Sequence, residues 1–565
     1  MRFQEQVFPF TVALLSFLSV LQMLDVYHVW YWPMVHRVMY QSQFDLGFSL
    51  VLALLPLSIV IVTLLLKEGK IREVGITFLV SVVLYLLFGL EFTVAWFSIF
   101  QIILSLFYIV NFRAFIFWLL TIFTGIEAVI FIHLLLIPFG INLPLSWFLD
   151  LELALFYIAG YFAPLIVVII MCMWFLKPLG NYIGFDKIFR MHSNVKFIGD
   201  IVRLNPLIFL SMGIFSSLVA ALYPYSPALN PSSLPVGVDV PMYLDLMAKV
   251  GNDPYSAFIV DGGSRPLILL LIYSFERILG SSIQEIVKYL PVILNPLLVF
   301  SVFFMVSQAS DDLVWAALAS FFTSMAFNMT IGMYSYYLAN LLGLVFIYLA
   351  FGFLFNAVRT NNNVSVLIAS VFGSLVVFTH PWTFIQYYAV MMFYLVYKYF
   401  IEKNSDGFSK IIFFLSFTGL IDLFKEVFIK GLGGYGSLSS SLPQLINILN
   451  FWNNNIFVFR YRFGGLLSNT IFLCLAAYGI YKLNRRDSYS TFLTLLIILS
   501  SIYYFTSNKV IQSRILYNIP FGVYTAQGVN GILSSQVNEN IKKISIIFII
   551  MSSVVYLLRS LGNLI

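Results

Sequence analysis

Charged residues are scarce in this chain. Asp, Glu, Lys and Arg make up 10% of its 565 residues, whereas 61% of the residues are hydrophobic and the mean hydropathy is +0.95. A soluble globular domain carries about 25% charged residues. The shortage of charge therefore excludes a soluble globular protein and indicates an integral membrane protein.

Cysteines are few, and the common catalytic signatures are missing. Cys172 and Cys474, the two cysteines, both fall in predicted membrane spans, which excludes a disulfide framework and a cysteine-based metal site. The sequence has no Walker loop and no GxSxG, HExxH or CxxC motif. The net charge of +6 comes from basic residues in short loops between apolar runs, a pattern that sets membrane topology and predicts no nucleic-acid partner.

Long apolar runs dominate what is present. Runs of roughly 17–25 residues, the span of a bilayer core, recur along the chain and predict an all-α polytopic protein with about 17 transmembrane helices. The predicted spans include runs near 313–328, 336–357, 364–379, 382–401 and 513–530. Residues 266–280 are apolar but too short to span comfortably, and they contain Glu276 and Arg277. This segment is predicted to be a short interfacial or re-entrant helix in a long outer loop.

The distribution of Lys and Arg predicts the orientation of the spans. Most basic residues fall in loops on one side, which the positive-inside rule makes cytoplasmic together with the N-terminus. Four features fall on the opposite, extracytoplasmic side: the acidic loop 225–265, the turn at His380, the loop 429–465, and the turn from Lys509 to Arg514. We therefore expect these features to lie close to one another outside a multi-pass cell-membrane protein.

A basic connector at 177–203 divides the chain. Residues 1–176 form a predicted six-span membrane module of unknown role, and residues 204–565 form a second membrane module that contains both outer loops. No internal repeat is evident, which weakens an inverted-repeat transporter as an interpretation.

The acidic loop 225–265 holds the main candidate for chemistry. Asp239 begins a short amphipathic helix, and Tyr243 lies four residues on, on the same face. The Asp239 carboxylate is suited to act as a general base or a divalent-cation ligand, or else as an ordinary helix N-cap. Asp245 falls on a different face. Asp253 is predicted to start a turn, and Asp261 either caps the next helix or lines the site.

Four cationic or titratable positions join Asp239 on the predicted outer side. His380 ends one span, and Arg514 begins another, where a guanidinium can clamp a lipid-linked phosphate or reach the lipid headgroups. Arg460 and Arg462 in the loop 429–465 are similar, less specific candidates. Glu127 falls in the middle of a predicted span, where an ionisable group is a functional candidate by default.

The order of these motifs carries a family resemblance. The segments in question are DVPMY at 239–243, the helix from Pro266 to Gly280, the run MTIGMYSYYLANLLGLV, the turn THPWT and the segment SRILYNIPFGVYTAQG. Over residues 200–565 they resemble the membrane glycosyltransferases of the GT-C fold, such as protein O-mannosyltransferases and aminoarabinose transferases. The chain departs from that pattern at Val240, where a second acidic residue is usual, and at Ser264-Arg265-Pro266, where Pro-Pro is usual.

The resemblance implies an inverting transferase that takes a sugar from a polyprenyl-phosphate donor on the extracytoplasmic face. The acceptor would be a lipid, a glycan or a protein, and membrane lipids would surround the donor. Asp239 would be the general base. Substrate-binding roles would fall to Tyr243, Asp261, Arg265, His380, Arg460, Arg462 and Arg514. With one acidic residue in the opening motif, an obligatory divalent metal is not expected.

Two other classes stay open at this point. A transporter or lipid flippase would depend on mid-membrane ionisable residues, Glu127 foremost, and would tolerate loss of Asp239. A non-catalytic scaffold of GT-C-like fold would tolerate Asp239→Ala and Arg514→Ala together.

Overall fold

A computed structural model describes residues 112–141, 205–400, 407–429, 470–483, 487–502, 514–535 and 538–562. This part of the chain is helical and contains no strand. The α-helices are α1 (Phe112–Leu136), α2 (Pro206–Leu222), α3 (Val240–Val250), α4 (Pro266–Leu279), α5 (Ile283–Ser310), α6 (Leu313–Ser324), α7 (Phe327–Ser335), α8 (Leu338–Thr360), α9 (Asn363–Val377), α10 (Pro381–Phe400), α11 (Phe408–Phe424), α12 (Thr470–Lys482), α13 (Ser488–Ile502), α14 (Phe521–Leu533) and α15 (Glu539–Gly562).

Five segments of the described part are long and apolar enough to cross a membrane: Pro206–Tyr225, Ile283–Ser310, Leu313–Ser335, Leu338–Thr360 and Glu539–Gly562. The all-helical architecture and these segments fit a helical membrane protein. The full number of about 17 spans stays a prediction. Most of the predicted N-terminal module, the connector 177–203 and most of the loop 429–465, with Arg460 and Arg462, lie outside the described residues.

The chain divides into two compact units. Of the described residues, the first unit holds 112–133 and 538–552, and the second holds 134–141, 205–535 and 553–562. The second unit contains every described residue of the predicted outer site, so that site can be built within one unit.

Local sequence sets the ends of the helices that support the site. Ser282 and Glu285 form a reciprocal capping box at the start of α5. The Asn362 side chain accepts a hydrogen bond from the backbone N–H of Val364 and so caps α9. Helix α4 is 14 residues long, ends at Gly280 in the left-handed conformation, and buries Ile268 and other apolar residues. The helix predicted over 266–280 is therefore present and is short.

Close contacts between helices fix the frame around the site. A side chain at Gly479 or Gly528 would collide with backbone, 1.9 Å from the Tyr524 carbonyl oxygen or 2.1 Å from the Leu475 carbonyl oxygen. These glycines therefore let α12 and α14 approach at backbone distance, as small residues do in membrane helix pairs.

Two of the predicted apolar runs are not continuous helices. The predicted span 313–328 is divided between α6 and α7, which separate at Met325 and Ala326. The predicted span 513–530 is interrupted after residues 514–517, because Pro520 cannot donate the next backbone hydrogen bond, and α14 begins at Phe521. The interruption leaves Asn518 between two helical segments, inside the protein.

Candidate functional site

Asp239 sits at the N-cap position of α3, but its side chain makes no capping hydrogen bond. Its backbone N–H donates to the Ser335 carbonyl oxygen (3.2 Å), and the N–H of Val238 donates to the Tyr334 carbonyl oxygen (2.9 Å). These bonds fix the segment against the end of α7. The alternative that Asp239 is an ordinary N-cap is therefore wrong, and its role as a general base stays a prediction.

Burial and nearby positive charges shift the pKa of the Asp239 carboxyl in opposite directions. Burial raises the pKa of the Asp239 carboxyl above its ordinary value, while the positive charges of Arg514 and Arg265 act to lower it. Among the described residues, the half-buried carboxylate has no hydrogen bond and no ion pair. Asp239 is thus an acceptor with free lone pairs in the field of two guanidinium groups.

Arg265 is held in place by a neighbour four residues earlier. Its Nε donates to Asp261 Oδ2 at 2.9 Å, and the Ser264 hydroxyl donates to the same oxygen. Asp261 adopts a left-handed backbone conformation (φ 56°) that aims its side chain at this pair. Asp261 does not cap α4. It anchors Arg265 instead.

Tyr243 joins α3 to the start of α8. Its side chain is 1% exposed, its hydroxyl accepts a hydrogen bond from the Ala339 N–H (2.9 Å), and its ring meets Tyr336 edge-on. The hydroxyl also faces the Arg265 guanidinium. The resemblance implies a substrate-binding role for Tyr243. The structure shows a buried side chain beside Arg265, and the binding role stays a prediction.

His380 and Arg514, 134 residues apart in the sequence, are in direct contact. Arg514 Nη1 lies 3.2 Å from His380 Nε2, and the guanidinium lies over the Tyr337 ring, 5.4 Å from its centroid. His380 occupies the turn between α9 and α10 and is 3% exposed. Burial, then the charges of Arg514, Arg265 and Lys425, lower the pKa of His380 well below its ordinary value. The lowered pKa favours the neutral form of the His380 imidazole.

One hydrogen-bond donor of Arg514, its Nε–H, has no acceptor among the described residues. This Nε atom is buried. A buried, charged donor without a partner is costly unless a ligand supplies an acceptor. The guanidinium is thus held by His380 and Tyr337 with one edge unused, which is the arrangement of an anion-binding arginine.

A buried polar network that sequence reasoning missed lies behind this pair. Thr383, Asn340, Asn518 and Gln386 are each at most 8% exposed and bond to one another in series. The hydroxyls of Tyr387 and Tyr348 donate to the Asn518 carbonyl oxygen at 2.5 and 3.2 Å. The sequence signal that could have revealed this network was the presence of carboxamide side chains inside apolar runs, because a polar group at such a position has a high free-energy cost.

Other predicted positions lie elsewhere. Asp245 is exposed and pairs with Lys249 at 2.6 Å, and Asp253 caps the turn that follows it by accepting from the Tyr255 N–H. Glu127 lies on α1 in the first unit and is 6% exposed. Arg460 and Arg462 are outside the described residues. No group of three or more His, Cys, Asp or Glu that suits a metal ion occurs within the described ranges.

The assembled site therefore contains a half-buried carboxylate, two guanidinium groups and an imidazole, and the Tyr337 ring lies against the Arg514 guanidinium. Such a set can accept a proton at Asp239 and bind an anion at Arg514. Comparisons with known proteins assign no family, because the chain matches no protein-family model and no curated protein.

Proposed function

We propose that this protein is an inverting membrane glycosyltransferase. It would transfer a sugar from a polyprenyl-phosphate donor to a lipid, glycan or protein acceptor. The observation that carries the proposal is the half-buried Asp239 carboxylate, which has no partner among the described residues and lies in the field of Arg514 and Arg265. A base beside an anion site is what displacement of a phosphate from a sugar requires.

Asp239 acts as the general base in this proposal. An acceptor hydroxyl attacks the anomeric carbon, its proton passes to the Asp239 carboxylate, and the bond between the sugar carbon and the phosphate oxygen breaks. The electron pair of that bond leaves with the polyprenyl phosphate. Burial supports this role, because it raises the pKa of Asp239 and makes the carboxylate a better proton acceptor than a solvated one.

Arg514 holds the departing phosphate. Its unused Nε and its contact with Tyr337 leave a fixed, charged donor edge, and donors arranged in advance stabilise charge that develops in the transition state. Arg265, anchored by Asp261, supplies a second positive charge near Asp239. Roles for Arg460 and Arg462 at the same phosphate stay predictions from the sequence.

The membrane setting suits a lipid-linked donor. The helices around the site are apolar, and five described segments are long enough to cross a bilayer, so a prenyl chain would lie among or beside them. The excess of basic loops on the other side supports an extracytoplasmic site with the N-terminus in the cytoplasm. We propose no resident metal, because the donor's phosphate charge can be met by the arginines.

The decisive experiment compares Asp239→Asn with Asp245→Asn. Both substitutions remove a carboxylate from α3 or its N-cap, but Asp245 is exposed and paired with Lys249. Glycosyl transfer would be measured in native membranes at equal expression with a panel of labelled polyprenyl-phosphate sugars. We expect Asp239→Asn to lose about 10²–10⁴-fold in rate, the usual contribution of a positioned base, while Asp245→Asn keeps wild-type activity.

The alternatives predict different results in the same membranes. Wild-type transfer by Asp239→Asn would remove Asp239 from the chemistry. A transporter or lipid flippase would show donor translocation that is lost in Glu127→Gln and kept in Asp239→Asn. A scaffold would support its cellular role in the double variant Asp239→Ala, Arg514→Ala.

A further inference from the structure

The contact between Arg514 and His380 is the first link in a chain of buried hydrogen bonds. Each link can be given a donor and an acceptor, because every member has a fixed inventory of both. The links run from Arg514 Nη1 to His380 Nε2 (3.2 Å), His380 Nδ1 to Thr383 Oγ1 (3.0 Å), Thr383 Oγ1 to Asn340 Oδ1 (3.0 Å), Asn340 Nδ2 to Asn518 Oδ1 (2.8 Å), and Asn518 Nδ2 to Gln386 Oε1 (2.7 Å).

A neutral imidazole has one lone pair, and two donors compete for it. Arg514 Nη1 presents a proton to Nε2, while the backbone N–H of Thr383 approaches Nδ1 at 3.3 Å as a helix-capping bond. A hydrogen bond from a charged donor is roughly twice as strong as one between neutral groups. Arg514 therefore takes the lone pair on Nε2, and the ring proton belongs on Nδ1.

Thr383 makes that assignment consistent. Its hydroxyl has one proton, which it donates to Asn340 Oδ1 at 3.0 Å, and its oxygen then accepts the proton of His380 Nδ1. Asn340 in turn uses its amide protons on Asn518. With the opposite tautomer, the N–H at Nε2 would face the N–H of Arg514 across 3.2 Å.

This series of hydrogen bonds starts at Arg514 and ends at Ile515, the next residue in the sequence. Gln386 Nε2 donates to the Ile515 carbonyl oxygen at 3.1 Å and to Ser500 Oγ at 2.8 Å. Ile515 directly follows Arg514 in the helical turn 514–517. The interruption of the helix at Asn518 therefore places the Asn518 carboxamide in the hydrogen-bond network. The network in turn holds the helical turn that carries Arg514.

We propose that this closed chain fixes His380 as the neutral tautomer protonated on Nδ1, so that Nε2 positions the Arg514 guanidinium. The positioning residues are Thr383, Asn340, Asn518 and Gln386. This inference deepens the proposed function, since Arg514 belongs to the proposed phosphate site. Its test reads the imidazole itself and needs no transfer activity, so failure of the proposed function would leave it standing.

The experiment is magic-angle-spinning NMR of the full chain in lipid bilayers at neutral pH, with ¹³C,¹⁵N-labelled histidine. The chain has five histidines, and the variant His380→Gln identifies the signal of His380. We expect one protonated and one bare ring nitrogen, with the proton on Nδ1. In Thr383→Val, the ratio of the Nδ1–H form to the Nε2–H form should fall by about fivefold, the equivalent of one neutral hydrogen bond.

Two controls separate this effect from general damage. Thr383→Ser keeps the hydroxyl and should keep the Nδ1–H form. Thr379→Val removes another buried hydroxyl at the same turn, whose one bond to a described residue is to the Leu375 carbonyl oxygen, and should also leave the tautomer unchanged. A wild-type His380 that is protonated on Nε2 or on both nitrogens would overturn the proposal. So would a Thr383→Val protein with the wild-type ratio. If Thr383→Val does not fold, the wild-type spectrum decides alone.

Discussion

Helix α8 has two contrasting ends. Near Leu338, Tyr337 supports the Arg514 guanidinium, whose Nε is buried and unused among the described residues. Near Thr360, Arg359 pairs with Asp311 at 3.1 Å, and their side chains are 38% and 81% exposed. One end holds charges that are buried and incompletely matched, and the other holds charges that are solvated and paired.

This difference shows at which end of α8 the arrangement of charges can be explained by stability alone. An exposed ion pair contributes about 0–1 kcal/mol and is easily replaced. A buried charged donor without an acceptor lowers stability, by about 1–3 kcal/mol or more for a charged group. The end at Leu338 therefore carries an arrangement that folding does not favour, which is typical of a site whose missing partner is a ligand.

The largest effect expected at the two ends of α8 comes from removing the guanidinium group from each end in turn. Arg514→Ala should lower glycosyl transfer by about 10²–10³-fold, as loss of one preorganised charge-stabilising donor does. Arg359→Ala removes a guanidinium from the other end of α8 and should leave the rate unchanged. Initial rates in membranes at equal expression would measure both. Similar losses in the two variants would show that the contrast between the ends has no functional meaning.

Arg514→Lys sharpens the same comparison. It keeps the positive charge but loses the planar group that stacks on Tyr337 and donates in a fixed fork. We expect a rate between those of wild type and Arg514→Ala. Full activity in Arg514→Lys would mean that only a point charge is needed there.

The helical frame was largely predictable from the sequence. Spans predicted at 336–357, 364–379 and 382–401 correspond to α8, α9 and α10 within a few residues, because apolar run length and capping residues are local signals. Counting those spans also placed His380 and Arg514 on one side, and the structure brings the two into contact.

The details of the site were less predictable, because they depend on contacts between distant residues. Asn340 and Asn518 are bonded across 178 positions, and neither has a local pattern that names the other. Local rules favoured Asp239 as an N-cap, but the backbone bonds to Tyr334 and Ser335 turn the segment so that the carboxylate is not used for capping. Tertiary contacts determine both arrangements, and at Asp239 they override the local preference for capping.

We expect an effect of intermediate size on the free energy of unfolding when the Asp239 carboxylate is removed or the pH is changed. Burial raises the folded-state pKa of Asp239 above its unfolded value. The folded state therefore holds the proton more tightly, and stability contributed by this group falls as pH rises from the unfolded pKa through the folded one. Asp239→Asn should accordingly be more stable than wild type at neutral pH, by about 0.5–1 kcal/mol, although we expect its transfer rate to be about 10²–10⁴-fold lower.

Glycosyl transfer should depend on pH in the opposite sense, increasing as the pH rises. The base must be ionised, so transfer should decline as pH falls through the folded pKa of Asp239, above the ordinary range of an aspartate. A rate profile in membranes would measure that limb, and thermal unfolding of the purified protein would measure the gain in stability. An Asp239→Asn protein that is less stable at neutral pH would contradict the sign of the pKa shift.

The smallest effect is expected at the exposed pair on the far end of α8. Asp311 adopts a left-handed conformation with φ of 62°, which Asn tolerates as well as Asp does, so Asp311→Asn removes the charge without straining the backbone. The pair with Arg359 is solvated, and its loss should change the free energy of unfolding by less than about 0.5 kcal/mol. A double-mutant cycle with Arg359→Gln would measure the coupling. Coupling well above about 1 kcal/mol would mean that this end, too, holds charges that burial makes important. The contrast between the two ends of α8 would then rest on the buried Nε of Arg514 alone, which has no partner among the described residues.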